Sequence, residues 1–417
     1  MYSPTKMEIG TLLEEVGVSE LKIAGGNFVM KEAVIVSAVR TSIGRAGGAL
    51  GMIPPEYYGA EVIKEVIKRI DLDSTLIEDV FFGNCLNGGG NIARLCALKA
   101  GLPIETPGLT IDRQCGSGLN AVNLAAQAVM AGMGDVFIAG GTESCSLKPY
   151  LMEHMQFFSK TPPKFRSGSQ LSPNEIGNPP MGVTAENLAE KYQITRLEQD
   201  EFSVRSQQKM GKAMVEGLFK SQIVPLTIPV GKNKTMVFET DEHPRPQTTL
   251  EGLSKLSAVF KAGGTVTAGN SSGLNDAASA VVVMSADRAK ALGLKPLAKI
   301  RTFAVAGVDP NIMGIGPVPA VRKALAQAGL TINDIDLIEL NEAFAAQVLA
   351  VDRELHFDMD KVNVNGGAIA HGHPIAATGA ILTTKLMFEM NRRDVQLGMI
   401  TACIGGGQGI ATIFERV

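Results

Sequence analysis

The amino-acid sequence predicts an α/β fold made of two similar βαβ-type halves, with a further segment inserted into the first half. A strand-like run at Ala33–Val36 precedes a helical pattern near Glu56–Arg69 and a second strand at Asp79–Phe82, and the same alternation returns after residue 298. Between residues 159 and 184 the chain becomes rich in proline and polar residues, which is typical of irregular loop rather than sheet.

Pairs of similar segments indicate an internal duplication. STLIEDVFFGN ends at Asn84, and TINDIDLIELNEA carries Asn341 after the same order of helix start, acid and apolar strand. Cys115 follows Asn84 by 31 positions and His373 follows Asn341 by 32, and both lie in glycine-rich turns before an apolar, helix-like run. DVFIAGG and GMITACIGGG form a third pair. Two such halves with facing strand ends would bring both turns to a shared site.

This pattern divides the chain into four parts. We expect an N-terminal extension at 1–29, a first half at 30–148 that is completed by 275–297, an inserted loop domain at 149–274 and a second half at 298–417. A chain of 417 residues is long enough for two or more domains. The extension is acidic, lacks an apolar run and is poor in arginine, so it predicts neither a signal peptide nor a transit peptide.

Charge and cysteine content exclude some classes of partner. A formal net charge of −3 with 19% charged residues offers no general attraction for nucleic acid or for an anionic membrane. The longest apolar runs fall short of a membrane span. Five cysteines without a CxxC pair favour a reducing, cytoplasmic compartment and make a metal cage improbable. Small-molecule substrates are therefore expected.

The segment around Cys115 has three interpretations. Gly116, Gly118 and Ala121 match GxGxxA between an apolar strand, Leu109–Ile111, and a helix, as in dinucleotide-binding loops, but no acid follows at the spacing that a ribose requires. Cys115 at the helix start could instead be a nucleophile, because unpaired N–H groups and the helix dipole stabilise a thiolate there. A small buried hydrophobic cysteine is the simplest alternative.

Three further segments carry candidate chemistry. His371 and His373 are two residues apart and could share a metal, although no carboxylate or cysteine accompanies them; catalytic and core histidines are the other interpretations. Cys403 precedes three glycines whose N–H groups could form an oxyanion pocket. Asn341 ends the strand Leu337–Leu340, where its amide could orient a water or an imidazole, or cap a helix.

Taken together, these segments resemble the thiolases from about residue 31 to the C-terminus. The motifs that carry the resemblance occur in order: SAVRTSIGRAGG, CGSGLNAV, GGTES, MGVTAEN, DEHPRP, TVTAGNSSGLNDAA, NEAFAAQ, GGAIAHGHP and CIGGGQG. The resemblance implies the thiolase fold, in which two similar halves form a layered αβαβα core with an inserted loop domain. That domain is expected to carry coenzyme A (CoA) binding and oligomer contacts.

The resemblance also implies catalytic roles. Cys115 corresponds to the nucleophile that takes the acyl group, His373 to its base, and Cys403 to the acid and base that handles the α-proton of a second acetyl-CoA. His373 and a water held by Asn341 would hold the enolate oxygen. The backbone N–H groups of Cys115 and Gly405 would form a second oxyanion hole, for the acyl-transfer intermediate.

Substrate contacts are implied in the same way. Arg245 corresponds to a residue near the adenine of CoA, Ser272 and the Ala268 backbone to residues along the pantetheine, and Phe260 and Phe344 to apolar walls. CoA is then a substrate and product, and no cofactor is expected.

The length of the acyl tunnel is implied by two methionines. Met181 and Met313 correspond to positions where short-chain members carry methionines, which favours an acetyl or acetoacetyl substrate.

Five residues depart from the family pattern within or close to these motifs. GHPIAATGA stands where members usually read GHPIGASGA, so Ala376 and Thr378 replace glycine and serine beside the catalytic histidine. His371 replaces an aliphatic residue, and Pro180 replaces a histidine of short-chain members. Cys145 stands in place of a common methionine. No catalytic position is lost, but the acyl chain length that the site accepts becomes open.

The implied activity is reversible Claisen condensation of two acetyl-CoA molecules to acetoacetyl-CoA and CoA by a ping-pong route, in a homotetramer or dimer. Thiolysis of longer 3-ketoacyl-CoA is the main alternative. A decarboxylating ketoacyl synthase is disfavoured by CIGGG, since those enzymes commonly use a further histidine or asparagine in place of Cys403. A silent CoA-binding scaffold would require the motifs to be kept for packing alone.

Overall fold

A computed structural model describes residues 30–87, 90–152, 162–166 and 168–417. The extension at 1–29 lies outside the described residues. The strands, numbered in chain order, are β1 Ala33–Thr41, β2 Gly44–Arg45, β3 Asp79–Gly83, β4 Leu109–Ile111, β5 Val136–Ser144, β6 Leu151–Met152, β7 Phe165–Arg166, β8 Ile223–Val224, β9 Leu226–Pro229, β10 Thr235–Phe238, β11 Asn275–Ser285, β12 Ala298–Gly307, β13 Leu337–Leu340, β14 Leu397–Ile404 and β15 Gln408–Glu415.

The helices of the described residues are also numbered in chain order. They are α1 Pro55–Lys68, α2 Ile92–Ala100, α3 Ser117–Met130, α4 Met181–Lys191, α5 Arg196–Val215, α6 Leu250–Ser254, α7 Ala286–Ala291, α8 Pro317–Ala328, α9 Ala345–Leu355, α10 Ala368–His371 and α11 Thr378–Arg393.

The strand order shows the duplication that the sequence predicts. Nine strands follow the path β13-β14-β15-β12-β1-β11-β5-β3-β4. In one half β3 and β5 are parallel while β5, β11 and β1 are antiparallel neighbours; in the other β13 and β14 are parallel while β14, β15 and β12 are antiparallel. β11 follows the insertion in sequence yet lies between β1 and β5. The two halves therefore repeat one topology.

Three apolar clusters show five layers. One cluster packs α1 and α2 against the outer face of the first half, and another packs α8 and α9 against the outer face of the second. The third contains α3 and α11 together with inward residues of strands from both halves. Alternate residues of one strand enter different clusters, since successive side chains of a strand point to opposite faces. The predicted αβαβα arrangement is confirmed.

The two central helices approach each other through glycines at their N-terminal ends. A Cβ atom at Gly118 would lie 2.7 Å from the carbonyl oxygen of Ala376, and one at Gly379 would lie 2.2 Å from the backbone nitrogen of Leu119. Only glycine permits such an approach. This close crossing places the turn before α3 beside the turn before α11, and it accounts for glycines that the sequence alone could assign to a phosphate loop.

The inserted segment departs from the predicted irregular loop at two places. Phe165–Arg166 pairs with Leu151–Met152 in a short antiparallel ladder. α4 already begins at Met181, inside the stretch predicted as loop, with Pro180 at its N-cap. The proline-rich composition concealed this start, because the fixed φ of proline also suits the first turn of a helix. Residues 153–161 and 167 of this segment lie outside the described residues.

Within the described part of the chain, no helix combines the length and apolar character needed to cross a membrane.

Candidate active site

Cys115 lies in a single 3-10 turn, Gln114–Gly116, directly before α3. Gln114 has a φ of 45°, a left-handed conformation that is uncommon for a residue with a side chain. The backbone N–H of Gln114 donates a hydrogen bond to a carboxylate oxygen of Asp112 at 2.9 Å, which supports this conformation. Such locally strained backbone is typical of functional turns.

His373 faces Cys115 across the crossing of the two halves. Nε2 of His373 lies 3.1 Å from Sγ of Cys115. Nδ1 of the same ring lies 2.6 Å from Oγ1 of Thr378, whose hydroxyl donates to the carbonyl of Pro374 at 3.2 Å. Nδ1 is therefore the nitrogen that carries the proton, and Nε2 presents its lone pair to the thiol.

Burial keeps this pair neutral before substrate arrives. Desolvation raises the pKa of Cys115 to about 11, against the opposing effect of the N–H groups of Gly405 and of Cys115 itself, which donate to the sulfur. Desolvation also lowers the pKa of His373 to about 4. The expectation that the helix start stabilises a resting thiolate is thus outweighed by burial. The thiol proton has an acceptor 3.1 Å away instead.

Cys403 is the penultimate residue of β14 and is fully buried. Burial raises the pKa of its thiol well above the ordinary value, and the negative charge of a Cys115 thiolate raises it further. A Cβ atom at Gly116 would lie 2.6 Å from Cδ1 of Ile404, so the turn that carries Cys115 packs against the end of β14 beside Cys403. Gly406 and Gly407 follow with φ of 86° and 84°, values that favour glycine and turn the chain sharply after Gly405.

Asn341 lies at the end of β13 on the other side of the imidazole. Its Nδ2 is 3.5 Å from Nε2 of His373, and its Oδ1 is buried and accepts no hydrogen bond from the described residues. Phe344, not Asn341, is the N-cap of α9, so the helix-cap interpretation is wrong. A buried amide oxygen without a protein donor can accept a hydrogen bond from a water or a substrate group.

The residues predicted to line the acyl pocket cluster around Cys403. Met313 and Phe344 belong to one buried apolar group with Cys403, and Met181 packs against it. Phe260 meets Phe344 edge to face, with ring centroids 6.1 Å apart. Together these side chains form an apolar wall around Cys403.

The positions predicted to contact CoA lie farther out. Arg245 and Ala268 are exposed and Ser272 is partly exposed. Nη1 of Arg245 donates to the carbonyl of His243 at 3.4 Å, and the N–H of Ser272 donates to the carbonyl of Ala343 at 3.0 Å.

The metal interpretation of the two histidines does not gain support. His371 is buried beside Ala370, its Nδ1 lies 2.8 Å from the carbonyl oxygen of Gly372, and Nε2 has no partner among the described residues. Within the described ranges, no group of three histidine, cysteine or acidic side chains is arranged to hold a metal ion.

Two residues that hold His373 were not assigned that task from the sequence. Oγ1 of Thr378 accepts a hydrogen bond from Nδ1–H of His373, and Oδ1 of Asn275 accepts one from the backbone N–H of His373 at 3.0 Å. Thr378 was noticed only as a departure from the family pattern. Asn275 gave no signal beyond its place in TVTAGNSSGLNDAA, because its contact with His373 spans 98 positions of the chain.

A two-half α/β fold with a cysteine and a histidine from equivalent turns, beside a second buried cysteine, defines a class of acyl-transferring enzymes. Family models agree: the thiolase N-terminal domain matches residues 33–287 and the thiolase C-terminal domain matches 294–416. The chain belongs to the thiolase family.

Similar proteins cover nearly the whole chain. An acetyl-CoA acetyltransferase of Pseudomonas aeruginosa is 48% identical over 402 residues, which is 93% of this chain and 100% of that protein. The crystal structure of the Bacillus anthracis acetyl-CoA acetyltransferase is 44% identical with a TM-score of 0.90, covering 94% of this chain and 100% of that one. Human mitochondrial 3-ketoacyl-CoA thiolase is 41% identical with a TM-score of 0.88, covering 93% and 100%.

Proposed function

We propose that this protein is an acetyl-CoA C-acetyltransferase, which condenses two acetyl-CoA molecules to acetoacetyl-CoA and CoA, reversibly and by a ping-pong route. The observation that carries the proposal is the 3.1 Å contact between Sγ of Cys115 and Nε2 of His373, with the Cys115 turn packed against the end of β14 that carries the buried Cys403. The activity of the similar acetyl-CoA acetyltransferases supports the choice of substrate.

In the first half-reaction, Nε2 of His373 takes the proton of the Cys115 thiol as the sulfur attacks the thioester carbonyl carbon. The oxyanion of the tetrahedral intermediate accepts hydrogen bonds from the backbone N–H groups of Cys115 and Gly405, which already donate toward this sulfur. The C–S bond to CoA then breaks, and His373 returns the proton to the departing CoA sulfur. An acetyl group remains on Cys115.

In the second half-reaction, Cys403 acts as a thiolate and removes the α-proton of a second acetyl-CoA. Acetylated Cys115 cannot carry a negative charge, so the ionised form of Cys403 then lacks the anionic neighbour that would raise its pKa further. The enolate carbon attacks the acetyl carbonyl and the C–S bond to Cys115 breaks. The departing Cys115 sulfur takes up the proton that Cys403 removed, which restores the Cys115 thiol and the Cys403 thiolate.

The enolate oxygen needs donors on the side opposite Cys403. A water held by Oδ1 of Asn341 donates to the enolate oxygen in our proposal, since that amide oxygen is buried with a free acceptor site. His373 adds a second hydrogen bond only while its Nε2 carries a proton. A thioester α-proton is only weakly acidic, so its removal at neutral pH depends on such stabilisation of the enolate.

The size of the acyl group follows from the wall around Cys403. Met313 and Phe344 pack around Cys403 with Met181 against them, and such bulky apolar side chains favour acetyl and acetoacetyl groups in our proposal. Thiolysis of longer 3-ketoacyl-CoA is the second candidate, because the human 3-ketoacyl-CoA thiolase has the same fold at 41% identity. CoA is bound as substrate and product, with Arg245 near the adenine, Ser272 and Ala268 along the pantetheine, and Phe260 beside it. No cofactor is required.

We further propose a cytoplasmic homo-oligomer, a tetramer or a dimer, that binds neither nucleic acid nor membrane. The division into an extension, two halves and an inserted loop domain at 149–274 is part of the same proposal, with oligomer contacts on the insertion.

A steady-state assay tests the reaction. Acetoacetyl-CoA should be consumed only when free CoA is added, and acetyl-CoA alone should yield acetoacetyl-CoA. Cys115→Ala should abolish both directions. Turnover that requires malonyl-CoA would identify a ketoacyl synthase instead, and CoA binding without turnover would identify a scaffold. A series of 3-ketoacyl-CoA lengths decides between the two thiolase substrates.

A further inference from the structure

The duplicated topology assigns each catalytic residue of one half a counterpart in the other. β3 and β5 run parallel with Gly83 opposite Gly141, and β13 and β14 run parallel with Leu340 opposite Thr401. In each half, the strand pair ends at the active-site crossing. Positions that follow these two pairs can therefore be compared one by one.

Two residues beyond the aligned pairs, the counterpart of Cys403 is Glu143. Cys403 follows Thr401 by two positions, as Glu143 follows Gly141, and Asn341 follows Leu340 as Asn84 follows Gly83. Each half thus places an asparagine at the end of one strand and a titratable side chain at the end of its neighbour. In the first half this pair is in contact: Nδ2 of Asn84 donates to Oε1 of Glu143 at 3.1 Å.

Glu143 is fully buried and gathers donors from two separate segments. Its carboxylate accepts hydrogen bonds from the N–H groups of Cys85 at 3.2 Å, Leu86 at 3.0 Å and Ala376 at 3.1 Å, besides the Asn84 amide. Cys85 and Leu86 follow β3, whereas Ala376 is three residues after His373. One carboxylate therefore joins the two halves.

Both segments contact or belong to the catalytic turns. Sγ of Cys85 lies 3.3 Å from Oγ of Ser117, and that oxygen accepts a hydrogen bond from the N–H of Arg113 at 2.8 Å, so the turn around Cys115 is closed on this side. The carbonyl oxygen of Ala376 lies against the backbone of Gly118 at the start of α3. Moving either segment would change the separation of Cys115 and His373.

The charge of Glu143 is not matched by a cation. No lysine or arginine among the described residues forms an ion pair with it, and burial raises its pKa to about 7 in spite of the N–H donors. The titratable groups that face it are Asp112, Tyr58 and the thiols of Cys85, Cys115 and Cys145. The negative charge of Glu143 raises the pKa of Tyr58 and of the three thiols. An unpaired buried carboxylate is costly, and a costly group retained at a functional site suggests a task there.

We propose that Glu143 is a positioning residue, the first half's counterpart of Cys403, and that its carboxylate holds the Cys115 turn and the His373 turn at the separation that acyl transfer needs. The inference rests on the proposed function, since it concerns how the Cys115–His373 pair is held. Glu143 touches neither reacting sulfur in the described contacts and acts through the two turns.

Two variants separate its position from its charge. Glu143→Gln keeps the size but puts an NH₂ group against backbone N–H donors, so kcat for thiolysis of acetoacetyl-CoA should fall on the order of 10- to 100-fold, with the KM for CoA unchanged. Glu143→Asp keeps the charge but is one methylene too short to reach both turns, and kcat should also fall.

The alkylation of Cys115 by iodoacetamide, followed by peptide mass spectrometry against pH, gives the second readout. The measured quantity is the pH at which the alkylation rate of Cys115 is half maximal, called the midpoint below. Loss of the carboxylate charge in Glu143→Gln should lower this midpoint by up to about one pH unit, whereas Glu143→Asp should leave it near the wild-type value. Asp276→Asn is the matched control, because Asp276 is a buried carboxylate that accepts the N–H of Ser146 at 3.0 Å but contacts neither catalytic turn. It should lower the melting temperature without moving the midpoint.

Wild-type kcat in both Glu143 variants would overturn the proposal. So would a loss of kcat that Asp276→Asn reproduces at equal loss of melting temperature, or an unmoved midpoint in Glu143→Gln. Failure of the proposed function is recognised separately, because a wild-type protein that never acetylates Cys115 still reports the field of Glu143 through alkylation.

Discussion

Nδ1 of His373 donates a hydrogen bond to Oγ1 of Thr378, 2.6 Å away, and this contact leaves the unprotonated Nε2 toward Cys115. A threonine methyl group is accommodated here in a fully buried position. The hydroxyl gives the ring one tautomer, with a basic Nε2 toward the thiol. Catalysis by a histidine depends strongly on such a fixed tautomer.

Removal of the Thr378 hydroxyl should weaken His373 as a base, although the imidazole itself remains. Thr378→Val keeps the shape of the side chain but cannot accept the hydrogen bond from Nδ1–H of His373, so kcat for thiolysis should fall on the order of a hundredfold. Thr378→Ser is the matched control and should retain most of the activity. Equal kcat in the valine variant and the wild type would show that Thr378 does not set the tautomer.

The methionine wall should control acyl length. Met313→Ala opens space beside Cys403, so kcat/KM for a six-carbon 3-ketoacyl-CoA should rise relative to acetoacetyl-CoA by about tenfold. Met52→Ala, at a methionine that is 84% exposed, is the control and should leave the ratio unchanged. An unchanged ratio in Met313→Ala would place the acyl group elsewhere.

Arg245 should matter for binding and not for chemistry. Its guanidinium is exposed, and our proposal puts it near the adenine end of CoA, so Arg245→Ala should raise the KM for CoA about tenfold and leave kcat within twofold. Arg322→Ala removes another exposed arginine, one that pairs with Glu354, and should change neither constant. A drop in kcat alone for Arg245→Ala would contradict the assignment.

Acidification should destabilise the protein partly through His373. Its pKa is lowered from 6.5 to about 4 by burial, so between these values the unfolded chain binds a proton that the folded chain does not. The free energy of unfolding therefore falls as the pH drops from 6.5 toward 4, by about 3 kcal/mol for this residue.

Urea unfolding of the wild type and of His373→Asn at pH 7 and pH 4.5 checks this expectation. The variant lacks the titrating ring and should lose less stability on acidification than the wild type. His356→Asn is the control, at a histidine in the left-handed C-cap of α9, and should follow the wild type. Parallel losses in the wild type and His373→Asn would contradict the buried neutral imidazole.

The sequence was sufficient for the duplicated fold and for the four side chains at its centre. Cys115, His373, Cys403 and Asn341 are each preceded or followed by recognisable strand ends or glycine turns. The similar spacing of Cys115 from Asn84 and of His373 from Asn341 predicts that the two turns meet. Local patterns of this kind survive in a linear string because they reflect strand and turn geometry.

Other features depend on contacts that no local pattern records. The high pKa of Cys115 arises from burial by both halves, which outweighs the helix start that the sequence does display. The anchor at Glu143 joins segments 57 and 233 positions away. Only the tertiary fold brings such groups together, so the sequence could suggest the residues of the site but not their protonation or support.

The most direct test of the account is peptide mass spectrometry of Cys403→Ala after brief mixing with acetyl-CoA, beside Cys115→Ala and the wild type. We predict an acetyl group on Cys115 when Cys403→Ala is mixed with acetyl-CoA, no condensation product from that variant, and no acyl adduct on Cys115→Ala. An acetyl group found on another residue, or normal condensation by Cys403→Ala, would contradict the division of labour between the two cysteines.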